Sequence, residues 1–235
     1  MNAATTRSRS TRDRPAKAPL SEAAIVEAAL GILRTEGLEA VTMRRVAAEL
    51  DTGPASLYVY VRNRDELVAA MLDRVSETVE LESPDPRRWR AQLHTLLTRM
   101  LKALEAHPGI AAVTVASPPT SVATLRFAEN MLGILLAGGV SRQDAAWACD
   151  ILPLLTTASA VESDTRRDRG LTTEADRQRA VGHMRDAFTT LPPEQFPLIN
   201  STLDEMVTGD TDDRFAFAID VFVDGLAARA ARARD

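Results

Sequence analysis

The feature that most constrains this chain is the spacing of its apolar residues, which follows the period of an α-helix from about residue 20 onward. The first such run begins after Ser21, a residue suited to cap a helix N-terminus, and stops at Gly37. No stretch alternates apolar and polar residues as a half-buried strand does, and aromatic residues make up only 4% of the chain. The pattern therefore predicts an all-α protein made of closely packed helices.

Capping residues and helix breakers set the predicted helix limits. Thr42 is predicted to cap a short second helix, Pro54 begins a third that ends near Tyr60, and Asn63 caps a fourth. The polar stretch Glu162–Thr173 is predicted as a mobile surface loop. Further helices are predicted over residues 87–106, 120–137, 141–163, 174–189 and 211–232, with a short one after the Pro108 and Gly109 break.

Charge and helix breakers both divide the chain into unlike parts. Residues 1–19 are basic and lack an apolar period, which predicts a flexible arm. The helix-breaking stretch Ser83–Pro86 predicts a boundary between an N-terminal domain at 20–82 and a C-terminal domain at 83–235. The net charge of −5 argues against nucleic-acid binding for the chain as a whole. The first 64 residues, however, hold ten Lys and Arg against seven Asp and Glu, which leaves the rest at −8. Only that basic part has to meet phosphate.

The cysteine content and the apolar runs indicate where the protein works. A single cysteine, Cys149, excludes an intramolecular disulfide and suits a reducing cytoplasm. No apolar run is long enough to span a membrane, and the N-terminus lacks the pattern of a signal peptide. The sequence thus predicts a cytoplasmic protein without a membrane partner.

Residues 42–61 match the geometry of a helix-turn-helix, because two short helices flank a tight turn that contains glycine. The second helix begins with the small residues Ala55 and Ser56, which let its N-terminus approach base edges. Tyr58 and Tyr60 are both of the chain's tyrosines, and each offers a hydroxyl to phosphate oxygens. This segment is the predicted site of DNA contact.

The stretch Leu20–Leu72 strongly resembles the DNA-binding domain of TetR-family transcriptional repressors. The matching pattern is carried by Thr42, Ala47, Ser56, Leu57, Tyr58, Tyr60, Val61, Arg62, Asn63, Arg64 and Leu67. The turn departs from it, since Asp51 and Thr52 stand where the family has glycine and an aliphatic residue, and the glycine is displaced to Gly53. We expect Asp51 to stabilise the turn by accepting local N–H bonds, in place of a left-handed glycine.

The resemblance implies roles for individual residues of the N-terminal domain. It places four near bases, namely Arg44, Pro54, Ala55 and Ser56. It places four others near phosphates, namely Thr42, Tyr58, Tyr60 and Arg64. Arg45 could do either, and helix capping alone explains Thr42 and Asn63 equally well. The arginines of residues 1–19 could form a minor-groove arm or only raise non-specific affinity.

The resemblance also implies a twofold dimer. The last predicted helix carries one apolar stripe through Phe215, Ile219, Phe222 and Leu226, and a second through Phe217, Val221, Gly225 and Ala228. A helix that is apolar on two sides needs two partners, which are the core of its own chain and a second copy. The helices at residues 142–164 and 213–231 would then pack against the same two helices of the second copy and form a four-helix interface. The alternative is that the last helix lies at the centre of one monomer.

The resemblance further implies that the C-terminal domain binds a small-molecule inducer. Large, adaptable apolar residues suited to an apolar or amphipathic ligand are Met100, Leu104, Phe127, Met131, Trp147 and Phe188, although a core role explains each of them. Asp150 could be a buried carboxylate in this pocket or a residue of the surface or interface. The histidines His94, His107 and His183 stand singly, so neither a metal nor another cofactor is expected.

Together with the resemblance, these observations predict a homodimeric repressor that a small-molecule inducer releases from a palindromic operator. The main alternative is an α-helical enzyme or ligand-binding protein with an incidental helix-turn-helix. The chain lacks a GxSxG elbow, a phosphate loop and a Cys/His constellation, which counts against an enzyme. An activator or a structural DNA-binding protein with the same DNA-binding domain is a further alternative, because no residue sets the sign of regulation.

Overall fold

The protein is described here by a computed structural model that covers residues 19–114 and 121–232. All regular elements in these ranges are helices, so the all-α prediction is confirmed. Residues 1–18 of the predicted basic arm lie outside the described ranges. The helices form an N-terminal helix-turn-helix domain and a larger helical C-terminal domain.

The N-terminal domain contains four helices whose starts are set by side-chain caps. They are α1 (Glu22–Glu36), α2 (Met43–Glu49), α3 (Pro54–Leu57) and α4 (Arg64–Glu77), with a 3₁₀ turn at Leu38–Ala40. The predicted caps Ser21, Thr42 and Asn63 accept backbone N–H bonds of 3.2, 3.1 and 2.8 Å. The helix predicted to reach Tyr60 ends at Leu57 instead, and turns carry the chain onward to Val61.

The turn between α2 and α3 uses the backbone of Asp51 in the place of a glycine. Asp51 adopts φ 48°, in the left-handed region, whereas Gly53 has an ordinary φ of −82°. The N–H groups of Asp51 and Thr52 donate to the carbonyls of Ala48 and Ala47 at 3.1 and 2.9 Å. This pair of bonds is the Schellman pattern, which aspartate tolerates better than most residues because its short polar side chain fits the left-handed conformation.

The C-terminal domain contains eight described helices. They are α5 (Trp89–Glu105), α6 (Ala111–Thr114), α7 (Val122–Ala137), α8 (Arg142–Asp168), α9 (Glu174–Thr189), α10 (Pro197–Ser201), α11 (Leu203–Val207) and α12 (Thr211–Arg232). The sequence did not predict α10 and α11. The loop prediction for Glu162–Thr173 is wrong up to Asp168, because α8 continues to that residue and carries ion pairs three and four residues apart, Arg167 with Asp164 and Arg166 with Glu162.

One hydrophobic core runs through both domains. Its centre is the packing of α5 against α7 and α8, with α4 added on the N-terminal side and α12 on the other. The link between the domains is fixed by buried Gln92, which donates to the Ser83 carbonyl and accepts the Asp85 N–H, each at 2.8 Å. The N-terminal domain is therefore held firmly on the larger domain.

Helices α9, α10 and α11 pack mainly on one another. None of the residues of α9 is buried, and its capping box of Thr173 and Asp176 fixes its start. Arg185 of α9 pairs with Asp204 of α11. This unit lies outside the central core.

Candidate DNA-binding surface

The recognition segment, defined as residues 54–60, is held in place by two buried anchors. Leu57 and Val61 lie in the core, and both the Val61 and the Tyr60 N–H donate to the Leu57 carbonyl. Because the two anchors are four residues apart and both face the core, the other residues of the segment face solvent. Pro54, Ala55 and both tyrosines are exposed, and Ser56 is half-buried.

Val59 is the most exposed large apolar side chain of this surface, at 80% exposure. The motif pattern did not single out Val59 as a contact residue. Its position between Tyr58 and Tyr60, opposite the anchor Leu57, is the sequence signal that indicates its exposure. An exposed valine at a DNA-binding surface can contact a thymine methyl group.

Arg44 and Arg45 are neighbours in α2, but their side chains have different surroundings. Arg44 is exposed. Arg45 donates from Nη2 to Oε1 of Glu36 at 2.6 Å and from Nη1 to Oε2 of Glu49 at 2.8 Å. Hydrogen bonding to Glu36 is the main cause that raises the pKa of Arg45, and the same contact lowers the pKa of Glu36. Arg45 therefore fastens the end of α1 to α2.

Arg64 is also engaged within the chain. Its Nε donates to the Val41 carbonyl at 2.8 Å and its Nη2 to the Leu38 carbonyl at 2.9 Å. These two carbonyls lie just before the start of α2. The fork of the guanidinium thus ties the start of α4 to the start of α2, on both sides of the recognition segment.

Thr42 caps α2 by accepting the Arg45 N–H. A hydroxyl that accepts such a bond keeps its own hydrogen as a donor. Thr42 is exposed, so the cap and a contact with a phosphate oxygen are compatible.

The seven residues predicted for the inducer pocket do not all come together. Leu104, Phe127 and Met131 are buried in the core, and Met100 is half-buried against it. Phe188 is half-buried on α9, whereas Trp147 and Asp150 are exposed on α8. A separate open cavity of about 450 Å³ lies between α5 and α12, and its lining includes Arg90, His94, Asp220 and Asp224 but none of the seven.

The two apolar stripes predicted on the last helix differ in burial. Phe215, Ile219 and Leu226 are buried, and Phe222 is half-buried. The second stripe faces solvent in the single chain, with Phe217 and Val221 exposed by 69% and 56% and with Gly225 and Ala228 also exposed. Helix α8 carries a similar exposed stripe made of Trp147, Ile151 and Leu154.

The described part of the chain contains no group of three His, Cys, Asp or Glu side chains that could hold a metal ion. Across the same residues, no helix combines the length and the apolar character that a membrane crossing needs.

Two family models match the chain and together cover most of it. The model described as bacterial regulatory proteins, tetR family, matches residues 25–71. The model described as Tetracyclin repressor-like, C-terminal domain, matches residues 83–230. The first match contains the recognition segment with its two anchors.

Individual proteins show the same similarity. The HTH-type transcriptional repressor DrrR1 of Streptomyces coeruleorubidus is 32% identical over an alignment of 232 positions that covers 95% of this chain and 84% of that protein. ActR of Streptomyces coelicolor, solved in complex with actinorhodin, is 33% identical with a TM-score of 0.84, over 92% of this chain and 99% of that one. BioQ, solved with its natural double-stranded DNA operator, is 25% identical with a TM-score of 0.63, over 89% and 99%.

Proposed function

Because the chain belongs to the TetR family of transcriptional regulators, we propose that it is a homodimeric repressor that a small molecule releases from a palindromic operator. The observation that carries the proposal is the recognition segment, whose buried anchors Leu57 and Val61 leave its small and tyrosine residues exposed. A short helix presented in this way fits the major groove of DNA.

We propose different roles for the polar and basic residues around that segment. Arg44, Pro54, Ala55 and Ser56 contact base edges, and Thr42, Tyr58 and Tyr60 contact phosphates. Arg45 and Arg64 act chiefly by holding α2 and α4 in place, since their guanidinium groups already bind partners within the chain. Val59 joins the base contacts through its exposed methyl groups.

The proposed dimer forms through α8 and α12. These helices are antiparallel, because Arg229 near the end of α12 pairs with Asp144 at the start of α8, while Arg166 contacts Thr211 at the opposite ends. Their exposed stripes are thereby brought to the same level along the pair. Apolar residues of this size, exposed in one chain, are typical of a surface that a second copy covers.

The proposed inducer binds within the C-terminal domain, against the apolar side chains of α5 and α7. Met100 is the residue of the predicted set on these helices that packs half-buried against the core, where a side chain can move to admit a ligand. ActR, one of the similar proteins, was solved in complex with actinorhodin, which makes actinorhodin the first molecule to test here.

The proposed function is tested by selecting duplexes that the full chain retains from a random DNA library. We expect a palindromic sequence with two half-sites, bound at least about a thousandfold more tightly than random duplex at physiological salt. Affinity should fall steeply with salt, since several phosphates are neutralised. Enrichment of no sequence would contradict the proposal, as would equal binding of selected and random duplexes.

TetR-family regulators are typically not enzymes, and we propose that this one has no catalytic role and acts in the cytoplasm, where operator DNA lies. The reactivity of Cys149, the single cysteine of the chain, can be tested directly. Burial is the main cause that raises the pKa of this thiol to about 11, and the nearby Asp150 adds to the rise.

We expect Cys149 to react with a disulfide reagent at pH 8 roughly a hundredfold more slowly in the folded protein than in denaturant, because almost no thiolate is present. The reaction is followed by absorbance of the released thiol. Equal rates in both states would mean that Cys149 is exposed and reactive.

A further inference from the structure

The last turns of α8 are tied to the connection between α5 and α6 by side chains that the DNA-binding surface does not use. The carboxylate of Asp164 is only 14% exposed, and its Oδ2 accepts the Gly109 N–H at 2.7 Å. Ser163 donates to Oε1 of Glu105 at 2.8 Å, and Arg167 donates to the Glu105 carbonyl at 3.2 Å. Helix α8 therefore holds both sides of this connection.

The same connection touches the N-terminal domain. Gly109 has a φ of 88°, and a Cβ atom placed on it would lie 3.2 Å from Cβ of Leu38. The carbonyl of Leu38 in turn accepts the bond from Arg64. A continuous line of contacts thus runs from Asp164 through Gly109 and Leu38 to the residue that begins α4.

The bond between Asp164 and Gly109 is difficult to replace. Burial raises the pKa of Asp164, while the Gly109 N–H and Arg167 act in the opposite direction. A carboxylate in such a position is retained only where donors compensate for its loss of water. Removal of the carboxylate leaves the Gly109 N–H without the acceptor it has in this structure.

We propose that Asp164 is a positioning residue for DNA binding, because it fixes the Gly109 turn against Leu38 and so sets how the N-terminal domain sits on the dimerising domain. This inference rests on the proposed function. Helix α8 also carries the exposed stripe proposed for the dimer, so one helix connects the interface to the N-terminal domain. In a dimer, the orientation of each N-terminal domain determines the distance between the two recognition segments.

The test compares the wild type with Asp164→Ala, Asp164→Asn and Asp168→Ala. Asp168 is an exposed carboxylate on the same helix, so its replacement is the matched control. Each protein is titrated with the selected duplex and with a duplex that carries a single half-site. We expect Asp164→Ala to lose about tenfold in affinity for the two half-sites and to keep its affinity for one. Asp164→Asn should stay near the wild type because its amide oxygen still accepts the bond.

A second variant, Gly109→Ala, disturbs the next contact in the line, because its added Cβ atom would lie 3.2 Å from Cβ of Leu38 at a φ of 88°, and it should give the same selective loss. Hydrogen exchange of the Gly109 amide should be faster in Asp164→Ala than in Asp168→Ala. The inference is overturned if Asp164→Ala and Asp168→Ala bind the two half-sites equally, or if binding to one half-site falls by the same factor. Failure of the wild-type chain to select any duplex would instead contradict the proposed function.

Discussion

Replacement of Arg44 by alanine is expected to weaken binding to the selected duplex by about 10- to 100-fold, the range for loss of one good side-chain contact to a base. The side chain is exposed in α2 and is assigned to a base edge. Binding to random duplex should fall less, because only the selected duplex offers the preferred base. The measurement is a titration of both duplexes at one fixed salt concentration.

Two arginines of the same domain serve as controls for this prediction. Arg34→Ala removes an equal charge from the exposed end of α1 and should change affinity little. Arg45→Ala should mainly reduce the free energy of unfolding, because it removes the surface ion pairs with Glu36 and Glu49. Equal losses of affinity in Arg44→Ala and Arg45→Ala would contradict the division of roles between them. Equal losses on selected and random duplexes would reassign Arg44 to a phosphate.

The sequence predicted most of the fold because the signals for helices are local. Caps such as Thr42 and Asn63, and breakers such as Pro54, act within one turn of the chain and are therefore readable without tertiary contacts. The end of α8 was predicted wrongly because a polar run resembles a loop, although its arginines and carboxylates pair along one helix face.

The side-chain partners of the basic residues could not be predicted from local sequence signals. Arg44, Arg45 and Arg64 are all cations close to the recognition segment, and no local sequence signal shows which of them binds a partner within the chain. Their surroundings depend on Glu36 and on the carbonyls of Leu38 and Val41, which tertiary packing brings near. Similarly, only the packing of α8 shows that Trp147 is exposed rather than turned toward the core.

Disruption of the proposed dimer is expected to have the largest effect on DNA binding. The double variant Phe217→Glu, Val221→Glu places two carboxylates on the exposed stripe of α12. Both positions face solvent in the single chain, so the fold of the monomer should accept them. In a dimer the same carboxylates would be buried against apolar residues and against their symmetry mates, which is costly without partners. We expect a monomer in sedimentation at micromolar concentration.

Loss of the dimer should lower affinity for the two-half-site duplex by at least about a hundredfold, because binding of the second half-site is then no longer intramolecular. Affinity for a single half-site should stay unchanged. Leu198→Glu is the matched control, since Leu198 is 76% exposed on α10, outside the proposed interface. Because some dimers have no stable folded monomer, the milder Phe217→Ala is measured as well and should raise the dimer dissociation constant. A double variant that stays dimeric and binds the duplex like Leu198→Glu would show that this stripe is not the interface.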